Sequence, residues 1–477
     1  MSGTTEQFSD AASAIRRARR AGLLALPLAA VLLAGCAGEG PSLPKLSDIN
    51  PFKEKQVPLP GKRVAIMASQ EKIPGELADG SQAIMLPPVK ANDAWTQAGG
   101  QANNAPGNLA LSGTRSAWTG DAGTGSGKIG RVTSPPVVAG GYVYTLDADA
   151  QVTAFNVGSG GAAWRASLAP TIEKVAANGN FSFSNMLSLG GGGGNEGGGY
   201  GGGLAVDNGR LYGTSGYGGV IALDPASGKR LWEKNLNVPL RAAPTAVNDK
   251  VYVISSEGRF FCLNGADGNE LWSVRGLPQQ ASLVMNVSPA IDGDIVVVPY
   301  SSGDLVALKA SDGSAAWSES LSRTRTTSQL ASLSDAARPA IDSGVVFAVG
   351  HAGRMIATQA RTGERLWSLN VPGTQMPWVA GGSVFVVDTQ GQLMAVGRSD
   401  GKVQWTMKLP GSTWSGPTMA GSKLWLVSNK GLLVGVDAAT GKLESQQEIG
   451  DPVFIAPVVA QGKMFILTDK AKLYALN

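Results

Sequence analysis

Ala222-Leu223-Asp224-Pro225-Ala226-Ser227-Gly228-Lys229-Arg230-Leu231-Trp232 decides the fold, because its tryptophan stands 28 residues after Leu204 and that interval recurs along the chain. The pairs are Pro136/Trp164, Leu204/Trp232, Pro244/Trp272, Pro289/Trp317, Pro339/Trp367, Pro377/Trp405 and Pro417/Ser445, with no insertion or deletion. Only Leu204 and Ser445 break the residue rule, and a further unit opens at Pro457. A period of about 40 residues made of short strands is the signature of a β-propeller, each repeat being one four-stranded blade.

Eight residues after the proline slot stands an aromatic: Tyr144, Tyr212, Tyr252, Phe347, Phe385, Trp425 and Phe465, with Val297 as the exception. Between slot and aromatic lie dipeptides such as Asn208-Gly209 and Asn248-Asp249. Such residues tolerate positive φ and close hairpins. A column of small residues follows, Ala154, Ala222, Cys262, Ala307, Ala357, Ala395, Gly435 and Ala475. It predicts close approach of neighbouring blades. Six residues further on, Gly160, Gly228, Gly268, Gly313, Gly363, Gly401 and Gly441 mark a second turn, four residues before the tryptophan slot. Trp164, Trp232, Trp272, Trp317, Trp367 and Trp405 are read as wedges between blades, since indole combines a large apolar surface with one N–H donor.

The eighth unit supplies three strands, the last being Leu473-Tyr474-Ala475-Leu476-Asn477. An unpaired edge there is a liability. Ser116-Ala117-Trp118-Thr119 fits the missing strand: Trp118 precedes Trp164 by 46 residues, inside the 38–50 that separate most neighbouring slots. The expected fold is therefore all-β, an eight-bladed β-propeller of four-stranded blades over residues 91–477, closed by an N-terminal strand.

Arg16, Arg17, Arg19 and Arg20 precede an apolar run that ends in Leu33-Ala34-Gly35-Cys36. A charged segment, a short apolar run and small residues before a cleavage point make a signal peptide over residues 1–35. An ordinary signal peptide with a chance cysteine is the competing reading of this stretch. Residues 36–90, rich in Pro, Lys, Ser and Gly, read as an extended tether, within which Arg63-Val64-Ala65-Ile66-Met67 is a candidate extra strand. Trp95 is expected on the propeller rim.

The formal net charge is +4, half of which the signal segment carries. No basic stripe interleaved with aromatics exists, so nucleic acid is not an expected partner. The single histidine, His351, lies in Gly350-His351-Ala352-Gly353, which disfavours metal sites rich in His and a Ser-His-Asp triad. The glycine run 190–199 lacks the flanking strand and helix of a phosphate-binding loop. Asp224 and Asp437 show no metal-loop spacing. Cys262 is the one cysteine besides Cys36. No catalytic constellation is present, and no enzyme activity or cofactor is expected.

All length variation falls between one blade's tryptophan and the next proline slot, where the gaps run 18, 40, 12, 17, 22, 10, 12 and 12 residues. Such connectors emerge on one face of a propeller, and loops of unusual length on a rigid scaffold are where binding is built. Two stand out. Residues 273–288 hold Leu277, Leu283, Val284 and Met285, while residues 318–338 hold Arg323, Arg325, Leu330, Leu333 and Asp335. Apolar groups mixed with isolated charges suit a protein interface; loops simply folded down on the ring are the alternative.

The Ala222–Trp232 stretch resembles the pyrroloquinoline-quinone-type propeller repeat, Ala-x-Asp-x-x-(Ser/Thr)-Gly-x-x-x-Trp. Two families share that repeat: quinone-dependent dehydrogenases and the BamB-like lipoproteins of the β-barrel assembly machinery. The Leu33–Cys36 tetrapeptide resembles the bacterial lipobox, which implies cleavage before Cys36 and its acylation with a diacylglycerol and a third fatty chain such as palmitate. Ala37 in the next position implies sorting to the outer membrane.

As a set, the lipobox, tether, eight repeats and N-terminal closure resemble the BamB-like family. That resemblance implies a non-catalytic, lipid-anchored scaffold on the periplasmic face of the outer membrane. It would grip the periplasmic domains of the barrel-inserting subunit, with nascent outer-membrane proteins as a further partner class. By position the family contacts fall at Leu283, Val284 and Met285, and at Asp335. Val284 and Met285 stand where the family carries an arginine, Ala337 replaces a second acid, and Arg323 and Arg325 are candidate substitutes. The dehydrogenase reading implies a quinone, a calcium ion, a catalytic aspartate and adjacent cysteines, and this chain has no Cys-Cys pair. An envelope polysaccharide- or protein-binding propeller is the third reading.

Overall fold

The computed structural model describes residues 84–128, 130–169, 201–276, 287–321, 336–411 and 413–477. The signal segment, Cys36, the candidate strand 63–67, the glycine run, and Leu283, Val284, Met285, Arg323, Arg325 and Asp335 lie outside the described residues.

Eight antiparallel four-stranded sheets form an eight-bladed β-propeller. Blades 1 to 7 occupy residues 137–167, 202–235, 245–275, 290–320, 340–369, 378–408 and 414–448, each running outward in chain order. Blade 8 is assembled from both ends of the sequence. Its inner three strands are Val458–Ala460, Lys463–Leu467 and Lys472–Leu476, and its outer strand is Ser116–Asp121, paired as Trp118 with Ala475 and Asp121 with Lys472. This is the expected ring closure.

Second and third strands are buried along nearly their whole length, as in Lys250–Ile254 and Arg259–Asn264. Blades stack face to face, so these strands are covered on both sides and read as continuous apolar runs. Outer strands face water on one side and alternate instead, as in Ala315–Ser320.

Within a blade the aromatic, small and tryptophan columns lie side by side. Tyr252 pairs with Cys262, and Cys262 with Trp272. The two rings meet across the small residue at 6.0 Å between centroids. Phe385 and Trp405 (6.0 Å) repeat the arrangement, as do Phe465 and Trp118 (6.0 Å) in the composite blade. The small column is thus small because two rings of its own blade close over it. The expected close approach of the next blade holds as well, since Cys262 packs in one cluster with Val296 and Val298 of blade 4 and Ala357 with Val384 and Val386 of blade 6.

Each tryptophan reaches the next blade. A Cβ on Gly313 would lie 2.5 Å from the Trp272 ring, and its φ of +74° is itself unfavourable for any other residue. Gly228 and Gly441 take Trp164 and Trp405 in the same way. The indole N–H donates to the carbonyl three residues before that glycine: Trp232 to Gly265 (2.9 Å), Trp317 to Ala360 (2.8 Å), Trp405 to Ala438 (3.1 Å). The repeat's aspartate shapes the receiving turn, because Asp224 Oδ1 accepts from the Ala226 and Ser227 amides and the Ser227 hydroxyl. Those bonds, the Ser227 hydroxyl's first, hold the Asp224 carboxyl below its ordinary pKa.

Ser445 breaks the rule for a topological reason. Blade 8 takes its outer strand from residues 116–121, so no turn joins its third and fourth strands and nothing there could receive a tryptophan from blade 7. The bulk moves to the second strand: Trp425 lies opposite Gly435, which lies opposite Ser445. Trp425 donates its N–H to Ala420 within its own blade at 3.0 Å.

Candidate functional site

The inner strands leave their outward edge groups facing the central channel, and residues 92–109 use them. This segment runs around the ring as a strap. Trp95 exchanges two backbone bonds with Val138 of blade 1 (2.8 Å each). Thr96 accepts from Val206 of blade 2, and Gln97 both donates to and accepts from Ala246 of blade 3. Ala102 and Asn103 accept from Ile291 of blade 4 and Ile341 of blade 5. Gly107 accepts the Trp378 indole of blade 6 (3.0 Å). Leu109 bonds Met419 and Gly421 of blade 7, and Asn92 bonds Val459 and Gln461 of blade 8.

In seven blades the bonded residue is the second after the proline slot. Backbone groups denied water need partners, and one strap supplies them to seven blades, meeting blade 6 through the Trp378 indole instead. Trp95 is accordingly 3% exposed and stacked on Trp378 at 6.3 Å, which corrects its expected place on the rim.

The strap closes the channel on one side. On the connector side a cup of about 220 Å³ remains, with Trp95, Ala98 and Trp378 among its lining and Val287, Arg338, Met376, Pro417 and Ile455 in its walls. Phe454, 48% exposed, stands in the same lining. The residues just before the proline slots are Pro135, Gly203, Ala243, Ser288, Arg338, Met376, Gly416 and Ala456, so Arg338 is the single charge in that ring. Its Nε donates to Ser288 Oγ at 2.8 Å and its Nη1 to the Ala98 carbonyl at 3.4 Å, tying blade 5 to blade 4 and to the strap. Burial pushes its pKa down to about 10.

Val287 and Arg338 are the described ends of the two connectors singled out from the sequence, so both connectors lead into this cup. The cup itself escaped sequence reasoning. Its one legible signal was an arginine in an otherwise uncharged column.

A quinone with calcium is the group the repeat type implies. Calcium takes about 6–8 oxygen ligands, carboxylates foremost. The described lining of the cup contains no carboxylate, and the described residues hold no group of three or more His, Cys, Asp or Glu able to bind a metal. These residues do not fit that group. Cys262, an inert buried thiol pushed up to about 11 by burial, is committed to the column between Tyr252 and Trp272.

Eight blades, seven of them docked by a tryptophan onto the next blade's glycine turn, define a propeller of the pyrroloquinoline-quinone repeat type. Within it the chain belongs to the family described as outer membrane protein assembly factor BamB, whose model matches residues 148–407 and 396–477. The BamB of Moranella endobia is 29% identical over 127 residues, 24% of this chain and 31% of that relative. The chain spans well under half the length of the curated relatives it matches. The crystal structure of BamB from Moraxella catarrhalis superposes with a TM-score of 0.61 at 17% identity, over 74% of this chain and 98% of that one. Quinohemoprotein alcohol dehydrogenase from Comamonas testosteroni also reaches 0.61, at 14% identity over 80% of each chain. Both likenesses show the fold alone.

Proposed function

We propose that this protein is a non-catalytic scaffold of the outer-membrane β-barrel assembly complex, lipid-anchored through Cys36 on the periplasmic face of the outer membrane. It binds the periplasmic domains of the barrel-inserting subunit through its connector face, using Leu283, Val284 and Met285 from one connector and Arg323, Arg325 and Asp335 from the next. Family membership carries this reading over the dehydrogenase one, and the absence of carboxylates from the cup's described lining supports it.

The partner contact is tested by Leu283→Asp combined with Asp335→Arg. A central apolar anchor or paired charge typically contributes about 2 kcal/mol or more. Recovery of the barrel-inserting subunit on the tagged protein should therefore fall at least about tenfold, with thermal unfolding unchanged. Glu364→Lys, in an exposed third-to-fourth-strand turn, serves as the control. Full recovery by a folded double variant would place the contact on another surface.

The anchor is tested separately. Cys36→Ser should abolish fatty-acid incorporation and leave the protein soluble or uncleaved. Undiminished palmitate labelling of that variant would remove the anchor. Stoichiometric uptake of a quinone chromophore with calcium, read by absorbance, would instead restore the dehydrogenase reading.

A further inference from the structure

Met85 is 88% exposed and Val89 49%, and they stand four residues apart in Ile84-Met85-Leu86-Pro87-Pro88-Val89. The other exposed large apolar residues among the described ones lie singly, on four separate outer strands and at Phe454 on the connector side. Single exposures are ordinary, whereas a cluster marks a contact surface. This segment is also held in place. Ile84 and Leu86 pack onto the core beneath it, and the Pro87 carbonyl accepts from Asn108 Nδ2 at 2.9 Å. Lys90 donates its amide to Asn108 and accepts from Ala110. A Cβ on Gly381, in the first turn of blade 6, would lie 3.0 Å from Pro87, so the segment sits over that turn on the strap side of the ring.

The strap side is divided in charge. The turns between first and second strands, with their flanking residues, carry Asp207, Asp249, Asp292, Asp294 and Asp342 in blades 2 to 5. In blades 6, 7, 8 and 1 the same turns are Gly381-Gly382, Gly421-Ser422, Gln461-Gly462 and Gly140-Gly141, without a carboxylate. Lys90 is exposed on this second half, and Asp93 is the exposed acid in the adjoining stretch of strap.

We infer that this edge of the propeller rests on the lipid surface, with the Met85 and Val89 side chains entering the interface and Lys90 among phospholipid headgroups. This rests on the anchor reading above: the chain upstream of Ile84 leads to Cys36, so an anchored chain enters the propeller at this edge. Two apolar side chains are too little to recruit a protein from solution. They suffice to orient one that an anchor already holds at the surface, because the second contact is then intramolecular. An anionic headgroup layer favours Lys90 and repels the acidic half of the strap side. Blades 6 and 7 are thereby turned toward the membrane. The connectors, on the opposite side of the ring, stay open to the partner.

The mature lipoprotein is reconstituted with vesicles of phosphatidylethanolamine and phosphatidylglycerol. Cys262 is buried and Cys36 acylated, so Met85→Cys takes a single environment-sensitive fluorophore. Lipids carrying a nitroxide near the headgroup should quench it. They should leave a label at Asp292→Cys, exposed in the acidic half, unquenched. Adding Val89→Asp and Lys90→Glu to Met85→Cys should remove most of the quenching while the protein still floats with the vesicles. Both added positions are exposed, so unfolding should be unchanged.

Equal quenching at the two positions, or none at position 85 in protein that floats, would overturn the orientation. Absence of fatty acid on Cys36 would defeat the anchor reading. Quenching at position 85 by added vesicles, in a Cys36→Ser background, would then leave the lipid contact standing, and no quenching there would overturn it. A label at position 85 shielded by the barrel-inserting subunit in detergent, and never quenched by lipid, would reassign the edge to a protein and overturn the proposal.

Discussion

Removal of Ser116–Asp121 should abolish cooperative unfolding of the ring. The strand pairs along the whole third strand of blade 8, from Ser116 opposite Leu476 to Asp121 opposite Lys472. Without it, a row of backbone donors and acceptors is exposed at the edge of a sheet, a template for intermolecular pairing. The same deletion removes Trp118, whose indole covers Gly160 and donates to Val157 of blade 1 at 3.0 Å. One cut therefore opens a blade and unpins the seam between blades 8 and 1. Calorimetry should show a broad, multi-step transition in place of a single one, and gel filtration should show aggregates. A single sharp transition at the native midpoint would mean that the strap alone closes the ring.

The second large effect is expected at Trp405, which is 3% exposed. Trp405→Ala should cost about 3–5 kcal/mol in denaturant unfolding, the range for deleting a fully buried large aromatic. The loss includes the cover over Gly441 and the bond to Ala438. Trp317 is only half-buried, so Trp317→Ala should cost less. The converse substitution is the sharper test of the geometry. Ser445→Trp restores the repeat's own residue, yet it should destabilise by about 1–3 kcal/mol, because Trp425 already occupies the space opposite Gly435 and no turn in blade 8 can receive the indole. A gain in stability from Ser445→Trp would show that the seam between blades 7 and 8 is built like the other seven.

Blade number, blade boundaries and the composite eighth blade were all legible in the sequence. The reason is that the 28-residue interval encodes contacts of one kind repeated six times. Each of these tryptophans meets a glycine turn in the next blade and, except for Trp317 where Val297 fills the slot, a ring on its own second strand, so spacing cannot drift without breaking those contacts. The glycine of each turn motif was legible as a turn residue, while the role of Asp224 as acceptor for the Ser227 hydroxyl needed coordinates. The small column was read correctly as a steric limit facing the next blade, while the two rings of its own blade that close over it needed coordinates. Sequence spacing reports how much room a residue has and not which atoms fill it.

Residues 92–109 show the limit from the other side. The segment has no period, and its amides Asn92, Gln97, Asn103 and Asn104 are the residues any surface loop carries. Its backbone and amide partners lie on eight inner strands, as far away in sequence as Gln461. Those strands become one channel wall only after the ring has closed.

What the sequence by itself determined is therefore the repeating part of the molecule: the propeller, its eight blades, its docking tryptophans and its closing strand. These rest on contacts between positions a fixed number of residues apart. Only the tertiary structure decided that the channel is blind, that Trp95 is stacked within it, and that Arg338 marks the wall of a cup on the connector face. Those features arise where eight separate segments converge on one axis, and convergence in space leaves no interval to read along the chain.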